Sequence, residues 1–222
     1  MRNMSYICKT LLKKFTNSPI YQKDGVRMKN LLYLILFMQI EITYAINLGD
    51  EFKSEKLWGH RGELVDLSQY KDKNIVLEWF NEGCPFVRKH YDSMNMQKLQ
   101  KKYANDVVWL TIVSSSENEQ GYLEDHKAAM ATYNREKMAS THLVLDHTGK
   151  FGQYYGAKTT PHMFVFHKGR LAYMGAIDSI PSTQIEDISK ATNYVEKIVE
   201  AIKGGKKVQV GQVKPYGCSV KY

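Results

Sequence analysis

One short stretch constrains the fold of this chain more than any other. It is an apolar run from Ile75 to Phe80 that leads, through a polar turn, into the pair Cys84-Pro85. A near-continuous apolar run of this length is typical of a strand buried on both faces. Proline suits the first position of a helix, because no N–H partner is needed there. The stretch therefore predicts a central strand that passes through a tight turn into a helix starting at Pro85.

Cys84 is the residue of this stretch that can carry chemistry. A thiol at the first turn of a helix faces unpaired backbone N–H groups and the positive end of the helix dipole. Both favour the thiolate, which is the reactive form of cysteine. Free cysteine is also a common small buried hydrophobic residue, so the position alone leaves both interpretations open.

The charge of the chain is concentrated at its beginning. The whole chain has 31 Lys+Arg and 23 Asp+Glu, a formal net charge of +8. Residues 1–45 hold seven of the basic and two of the acidic residues, which leaves 24 basic and 21 acidic residues, or +3, for the rest. That is an ordinary surface balance, so we expect no nucleic-acid partner.

Residues 28–45 have the pattern of a secretory signal. Met28-Lys-Asn is followed by an apolar core from Leu31 to Met38 and by a small-x-Ala site that ends at Ala45. The core is short of the roughly 20 residues of a transmembrane helix, so an uncleaved membrane anchor is the alternative and not the expectation. We expect export to the periplasm or another extracytoplasmic space. Residues 1–27 are either a translated extension or lie upstream of a true start at Met28.

Export changes the cysteine count. Cys8 leaves with the leader, and Cys84 and Cys218 remain in a compartment that permits disulfides. The remaining length of about 177 residues can bury a full core unaided, so the thiols are predicted to serve chemistry or one regulated bond. We expect an extension with signal at 1–45, one domain at 46–205, and a tail at 206–222 that carries Cys218.

The rest of the chain alternates strand-like and helix-like segments, which predicts an α/β sheet. The strand-like segments are 51–57 and 63–67 as a hairpin, then 75–80, 107–113, 142–146, 163–167 and 171–175. The helix-like segments are 85–103, 121–137, 150–155 and 185–203.

Three motifs together resemble the thioredoxin superfamily: Glu78-Trp-Phe-Asn-Glu-Gly-Cys84-Pro, Tyr155-Gly-Ala-Lys-Thr-Thr-Pro161-His and Lys168-Gly-Arg-Leu-Ala-Tyr-Met-Gly-Ala176. Asp50-Glu-Phe, Leu67-Ser-Gln-Tyr-Lys71 and the extra segment 114–140 are similar to the redoxin branch, which holds the alkyl-hydroperoxide-reductase/thiol-specific-antioxidant proteins. The resemblance implies a thioredoxin fold. Its central mixed β-sheet would be flanked by helices, with an N-terminal hairpin and an inserted helix.

The resemblance also implies roles for individual residues. Cys84 matches the nucleophilic cysteine, and Pro161 matches the cis-proline that faces it. Thr160 would offer backbone hydrogen bonds to an extended substrate. Pro85 and Arg88, on the helix after Cys84, complete the candidate substrate-facing set, although solvated surface is the other interpretation of Arg88.

Glu78 lies where thioredoxins place a buried acid under the active site. An acid among apolar residues of a central strand is costly unless it is neutral or paired, so its pKa should rise. A raised pKa suits proton transfer to and from a nearby thiol, and we predict a proton shuttle. An acid that faces an edge of the sheet is the alternative.

The chain departs from two family patterns. Thioredoxins have Cys-x-x-Cys, whereas Val87 stands where the second cysteine would be. Peroxiredoxins have Pro-x-x-x-Thr-x-x-Cys, and the corresponding positions are Leu77 and Asn81. Exchange through an adjacent dithiol is excluded, and standard peroxidase geometry is not expected.

Cys218 is the remaining candidate partner of Cys84. We hypothesise that it is the resolving thiol, which attacks a mixed disulfide or a sulfenic acid at Cys84. The tail of about 15 residues could span up to about 50 Å when extended, so reach is no obstacle. A permanent disulfide, a free tail thiol and an intermolecular bond stay open.

The sequence therefore predicts an exported thiol-disulfide oxidoreductase or antioxidant protein, with no bound cofactor and no metal. Its partners would be a thiol or disulfide protein or a peroxide as substrate, and a reducing dithiol. The alternatives are a thiol peroxidase and a non-enzymatic thiol or Cu(I) chaperone. His162, next to Pro161, is expected near Cys84 and would be the imidazole of such a copper site. The other histidines show no ligand spacing.

Overall fold

The structure, a computed structural model, describes residues 46–208 and 211–222. All of them belong to one unit of the chain, Tyr44–Tyr222. The predictions for Cys8, the signal segment and the start at Met28 lie outside the described residues. Within the described ranges, no helix is both long enough and apolar enough to cross a membrane.

Ten strands and five α-helices are present in the described residues. The strands are β1 Lys56–Gly59, β2 Leu64–Asp66, β3 Ile75–Trp79, β4 Val108–Val113, β5 His142–Leu145, β6 Thr159–Thr160, β7 His162–His167, β8 Arg170–Gly175, β9 Gly211–Gln212 and β10 Cys218–Ser219. The helices are α1 Pro85–Asp92, α2 Asn95–Lys102, α3 His126–Arg135, α4 Lys150–Tyr155 and α5 Tyr194–Lys203. Short 3-10 turns span Leu67–Tyr70 and Ile185–Asp187.

Strand β3 is the centre of the main sheet, as its apolar sequence predicts. The strand order is β2-β1-β5-β4-β3-β7-β8-β9, and all five residues of β3 are buried. β3 runs parallel to β4 and antiparallel to β7. The sheet is therefore mixed. β1 and β2 form the predicted N-terminal hairpin, although its first strand begins at Lys56 and not at Glu51.

The two faces of the sheet carry separate hydrophobic cores, because successive side chains of a strand point to opposite faces. On one face, Val76 packs with residues of α1, α2, α3 and α5, and this core includes Cys84. On the other face, Ile75, Leu77 and Trp79 pack with α4 and the N-terminal segment. Helices on both faces of a mixed sheet confirm the predicted architecture.

The helix predicted over 85–103 is wrong in one respect, since it is two helices. Met94 has a left-handed backbone, with φ +60°, and interrupts the helical path between α1 and α2. The hydroxyl of Ser93 donates to the carbonyl oxygen of Lys89 at 2.7 Å, which satisfies a free carbonyl at the end of α1.

Two other helices begin later than predicted. The segment 121–137 becomes helical only at His126, and the segment 185–203 only at Tyr194, apart from its short 3-10 turn. In both cases the residue before the helix, an aspartate or an asparagine, accepts hydrogen bonds from backbone N–H groups of the first turn. These N-caps fix the starts of the helices.

The C-terminal tail is built into the fold. β9 pairs in parallel with β8, and β10 pairs in antiparallel with β6. Further along, the N–H of Val220 donates to the carbonyl of Lys158 at 3.1 Å, and the hydroxyl of Tyr222 donates to the carbonyl of Ala157 at 2.9 Å. Residues 211–222 therefore have one defined path across the protein surface.

Candidate active site

A hydrogen-bonded turn carries Cys84 from the end of β3 to the start of α1. The Asn81 side-chain oxygen accepts from the N–H of Gly83 at 2.9 Å, and its amide donates to the carbonyl of Gln120 at 2.7 Å. The N–H of Cys84 donates to the carbonyl of Asn81 at 3.1 Å. Cys84 is thus the N-cap residue of α1, with Pro85 exposed at the first helical position.

Cys84 meets both of its predicted partners at this point. The peptide bond between Thr160 and Pro161 is cis, as the resemblance implies. The Cys84 thiol donates to the carbonyl oxygen of Thr160 at 2.9 Å. Its Sγ lies 2.7 Å from Sγ of Cys218, and both cysteines are free thiols. Two residues 134 positions apart in the sequence therefore form one dithiol.

The strand pairing of the tail brings Cys218 to this place. In the pairing of β10 with β6, Cys218 lies opposite Thr160. Gly217 has φ +135°, and a Cβ atom on it would lie 2.1 Å from the carbonyl oxygen of Thr160. Only glycine allows the tail to pass this close to β6.

A buried polar cluster anchors the tail two residues before Cys218. The hydroxyl of Tyr216 donates to one carboxylate oxygen of Asp178, and Nζ of Lys89 lies 3.2 Å from the other. The side chains of Lys89 and Asp178 are almost fully buried. Because Lys89 belongs to α1, Asp178 ties the tail to the helix that begins beside Cys84.

The environment separates the pKa values of the two thiols. Burial alone would raise the pKa of Cys84, but hydrogen bonds from Cys218 and from the backbone N–H of Val87 outweigh burial and hold that pKa below its usual value. Burial raises the pKa of Cys218, and its hydrogen bond to Cys84 and the negative charge of that thiolate raise it further. Cys84 therefore ionises first, and Cys218 keeps its proton and can donate it to the thiolate.

Glu78 is buried, as predicted, and burial raises its pKa although several hydrogen bonds oppose this. Its carboxylate accepts from Tyr91 at 2.7 Å and Trp109 at 2.8 Å, and more weakly from Gln100 and Thr111. These four donors come from α1, α2 and β4, and neither thiol is among them. The carboxylate therefore joins the sheet to the helices on the Cys84 face.

The side chain of Arg88 binds a carboxylate and not the Cys84 thiolate. Its guanidinium forms a two-point contact with the carboxylate of Glu136, at the end of α3, with one distance of 3.0 Å. A second carboxylate, that of Asp92, lies 3.7 Å away. The hydrogen bonds of Arg88 thus join α1 to α3, in a partly exposed position.

His162 directly follows Pro161, but its side chain lies on the other face of the sheet from Cys84. Along β7, His162 shares a face with Phe164, and the two rings lie 4.5 Å apart. This is the face opposite Cys84, because Phe164 and Cys84 belong to different cores. The N–H of Lys158 donates to Nδ1 of His162, and burial lowers the pKa of the imidazole to about 3. Within the part of the chain that the structure describes, His162 forms no three-ligand group with the two thiols.

The fold also collects a cluster of titratable groups that spacing did not reveal. Ligand atoms of His60, Glu63 and His142 lie within 4.8 Å of one another. Arg61 reaches into this cluster, with Nη2 3.2 Å from Nδ1 of His142 and Nε 3.5 Å from the carboxylate of Glu63. The guanidinium already balances the carboxylate, so the cluster is explained as an ion-pair network between the turn that joins β1 to β2 and the start of β5.

The comparisons with known proteins identify the family and the fold. The family model described as Redoxin matches residues 47–195. A search of curated proteins gives no match.

Among solved structures, a hypothetical protein from Sinorhizobium meliloti is 23% identical with a TM-score of 0.65, over 81% of this chain and 96% of that chain. An uncharacterized conserved protein from Geobacillus kaustophilus is 24% identical with a TM-score of 0.64, over 79% and 92%. A third, proposed to be a protein disulfide isomerase, from Bacteroides thetaiotaomicron, is 17% identical with a TM-score of 0.52, over 73% and 94%. The fold is the thioredoxin fold that the motifs imply.

The close passage at Gly217 yields a first prediction. In Gly217→Ala the new methyl group collides with the backbone of Thr160, so the tail shifts and the two sulfurs separate. We expect Cys84–Cys218 disulfide formation to slow by about tenfold to a hundredfold, since small displacements of reacting atoms have effects of this size. Gly205→Ala is the matched control, because Gly205 also has positive φ but no atom within 4 Å of the new Cβ. Stopped-flow oxidation by diamide measures both rates, and equal slowing in the two variants would contradict the prediction.

The buried anchor yields a second prediction. Asp178→Asn keeps the shape of the side chain but leaves the buried cation of Lys89 without its counter-charge. The free energy of unfolding should fall by about 3–5 kcal/mol, as it does when one partner of a buried ion pair is removed. Urea unfolding measures this change, with the exposed Asp72→Asn as control. A loss as small as that of the control would show that Lys89 is not held by this charge.

The raised pKa of Glu78 yields a third prediction. An acid whose pKa is higher in the folded state binds more protons there, so stability falls as the pH rises from 4.5 to the folded-state pKa. Glu78→Gln removes this titration. The amide nitrogen of the new glutamine also faces hydrogen-bond donors, which lowers the free energy of unfolding by about 1–3 kcal/mol. We expect the stability deficit of the variant to narrow as the pH rises through this window. Urea unfolding between pH 4 and pH 9 tests it, with the exposed Glu117→Gln as control. A difference in the free energy of unfolding between variant and natural protein that does not change with pH would contradict a raised pKa of Glu78.

Proposed function

The chain belongs to the redoxin family, and from that premise we propose that it is a thiol-disulfide oxidoreductase whose redox centre is the pair Cys84 and Cys218. The observation that carries the proposal is the position of the two sulfurs, 2.7 Å apart beside the cis peptide bond at Pro161. The proposed cycle moves two electrons and two protons between this dithiol and its disulfide.

The oxidative half of the cycle begins at Cys84. Its thiolate attacks one sulfur of a substrate disulfide, and the first substrate thiolate leaves. The Cys218 thiol then gives up its proton and attacks Cys84 in the mixed disulfide, so the second substrate thiolate leaves and the Cys84–Cys218 bond forms. The short distance between the sulfurs supports Cys218 as the resolving thiol, because the second step needs little movement.

The other predicted residues support this centre in different ways. The carbonyl of Thr160 accepts a hydrogen bond from the Cys84 thiol, and Thr160 also pairs with Cys218 of the tail. Pro161 directly follows β6 and ends the strand that makes both contacts. Pro85 begins the helix at the exposed side of the site. We assign Glu78 and Arg88 positioning roles, since their polar contacts hold α1 against its neighbours.

One observation favours a second candidate function, that of a thiol peroxidase. Cys84 has no exposed surface, because the tail covers it. A small oxidant passes such a cover more easily than a polypeptide disulfide does. Hydrogen peroxide would convert the Cys84 thiolate to a sulfenic acid, and attack by Cys218 would release water and give the same disulfide.

We also propose the compartment in which the protein acts. The signal pattern at residues 28–45 supports export to the periplasm or another extracytoplasmic space, where disulfides persist. The cycle requires an external dithiol as reductant and no bound cofactor.

The proposal is tested by mapping the cysteines after oxidation. The reduced protein receives one equivalent of oxidised glutathione or of hydrogen peroxide, and non-reducing peptide mass spectrometry locates the bonds. We expect a Cys84–Cys218 disulfide that dithiothreitol reverses, with no turnover in Cys84→Ser. In Cys218→Ser, Cys84 should stop as a glutathione adduct or a sulfenic acid.

The two oxidants separate the two candidate functions. Faster formation of the disulfide with oxidised glutathione favours disulfide exchange, and faster formation with hydrogen peroxide favours the peroxidase. A protein in which Cys84 is oxidised while Cys218 stays free would contradict the two-cysteine cycle.

A further inference from the structure

We propose that the reducing dithiol reacts with the oxidised protein at Cys218, the sulfur carried by the tail, and that Cys84 is the leaving group. The inference rests on the proposed Cys84–Cys218 disulfide and names the atom at which its partner binds. The cysteine at the start of the helix, which carries the proposed oxidative step, would then be closed to the reductant. The two halves of the cycle would use different sulfurs.

The direction of attack gives the first reason. A thiolate attacks a disulfide along the axis of the S–S bond, from the side opposite the leaving sulfur, so access to each sulfur decides the outcome. For attack on Cys84, the reductant would have to come from the side opposite Cys218. Cys84 has no exposed surface and is packed with Val87 and other residues of the core on that face of the sheet. That approach therefore runs through the protein interior.

The position of Cys218 gives the second reason. It lies on β10, the more exposed of the two strands in the small sheet with β6. Cys218 is half-buried, and Ser219 beside it is exposed. Attack on Cys218 can use the part of this residue that remains exposed, whereas Cys84 has no exposed surface. A dithiol carried by another protein can approach there while the tail stays in place.

The acidity of the two thiols agrees with this direction. Exchange is faster when the leaving thiol has the lower pKa. The surroundings hold the pKa of Cys84 below its usual value, whereas burial and the neighbouring thiolate raise that of Cys218. Attack at Cys218 expels Cys84 as a thiolate, which the backbone N–H of Val87 at the start of the helix still stabilises once Cys218 carries the partner sulfur.

The steps balance with a dithiol as the only co-reactant. One partner thiolate forms a bond to Sγ of Cys218, the Cys84–Cys218 bond breaks, and Cys84 takes the electron pair as a thiolate. The second partner thiol loses its proton and attacks the partner sulfur of the mixed disulfide, and Cys218 leaves and takes up a proton. The partner ends as a disulfide and has supplied two electrons to the protein.

The test uses the full chain and reduced glutathione, whose single thiol first forms a mixed disulfide with the cysteine that it attacks. The protein is first oxidised and the Cys84–Cys218 bond is verified by peptide mapping. Glutathione is then added, samples are quenched with acid at increasing times, and the adducts are located by mass spectrometry. Extrapolation to zero time removes later exchange between the two cysteines.

We expect the initial adduct on Cys218 to exceed that on Cys84 by at least about tenfold. Equal adducts, or an excess on Cys84, would overturn the inference while leaving the redox pair intact. Absence of the Cys84–Cys218 bond before glutathione is added would overturn the proposed function itself, and this inference with it.

A variant that displaces the tail tests the geometric reason. In oxidised Gly217→Ala, the strand cannot pass as close to Thr160, so the approach to Cys84 opens. We expect the preference for Cys218 to fall several-fold, and Gly205→Ala to keep it. An unchanged preference in Gly217→Ala would overturn the argument from access.

Discussion

The pairing of two short strands, β10 with β6, is the interaction on which the proposed chemistry depends. It places Cys218 opposite Thr160, whose carbonyl also accepts from the Cys84 thiol. One residue therefore sets the positions of both sulfurs. Without this pairing the chain would present Cys84 alone at the start of a helix. Cys218 would then not be near enough to lower the pKa of the Cys84 thiol.

Two residues of backbone pairing are too few to hold a strand alone, and the tail is held on both sides of Cys218. Before it, Tyr216 reaches the buried ion pair of Asp178 and Lys89. After it, Tyr222 lies against the α4 region and donates to the carbonyl of Ala157. Buried ion pairs contribute little net stability, so the value of this one lies in the position that it gives the tail.

The buried polar groups on the Cys84 face form a second constraint. Glu78 is an acid among the buried apolar residues of the central strand. Hydrogen bonds from α1, α2 and β4 satisfy its carboxylate. A buried carboxylate is tolerated only when its acceptors are filled. The hydrogen bonds that the buried carboxylate requires therefore hold α1 and α2 in place on the sheet. In this way they also position α1, the helix that begins beside Cys84.

The sequence by itself determined the central strand, the turn, the helix start at Pro85 and the α/β class, because apolar periodicity and proline chemistry are local. The family motifs added Cys84 and the cis-proline. Only the tertiary structure decided that Cys84 and Cys218 meet, that His162 points away from them, and that Arg88 binds Glu136. The physical reason is separation along the chain: a two-residue strand has no periodicity, and partners far apart in sequence are chosen by packing.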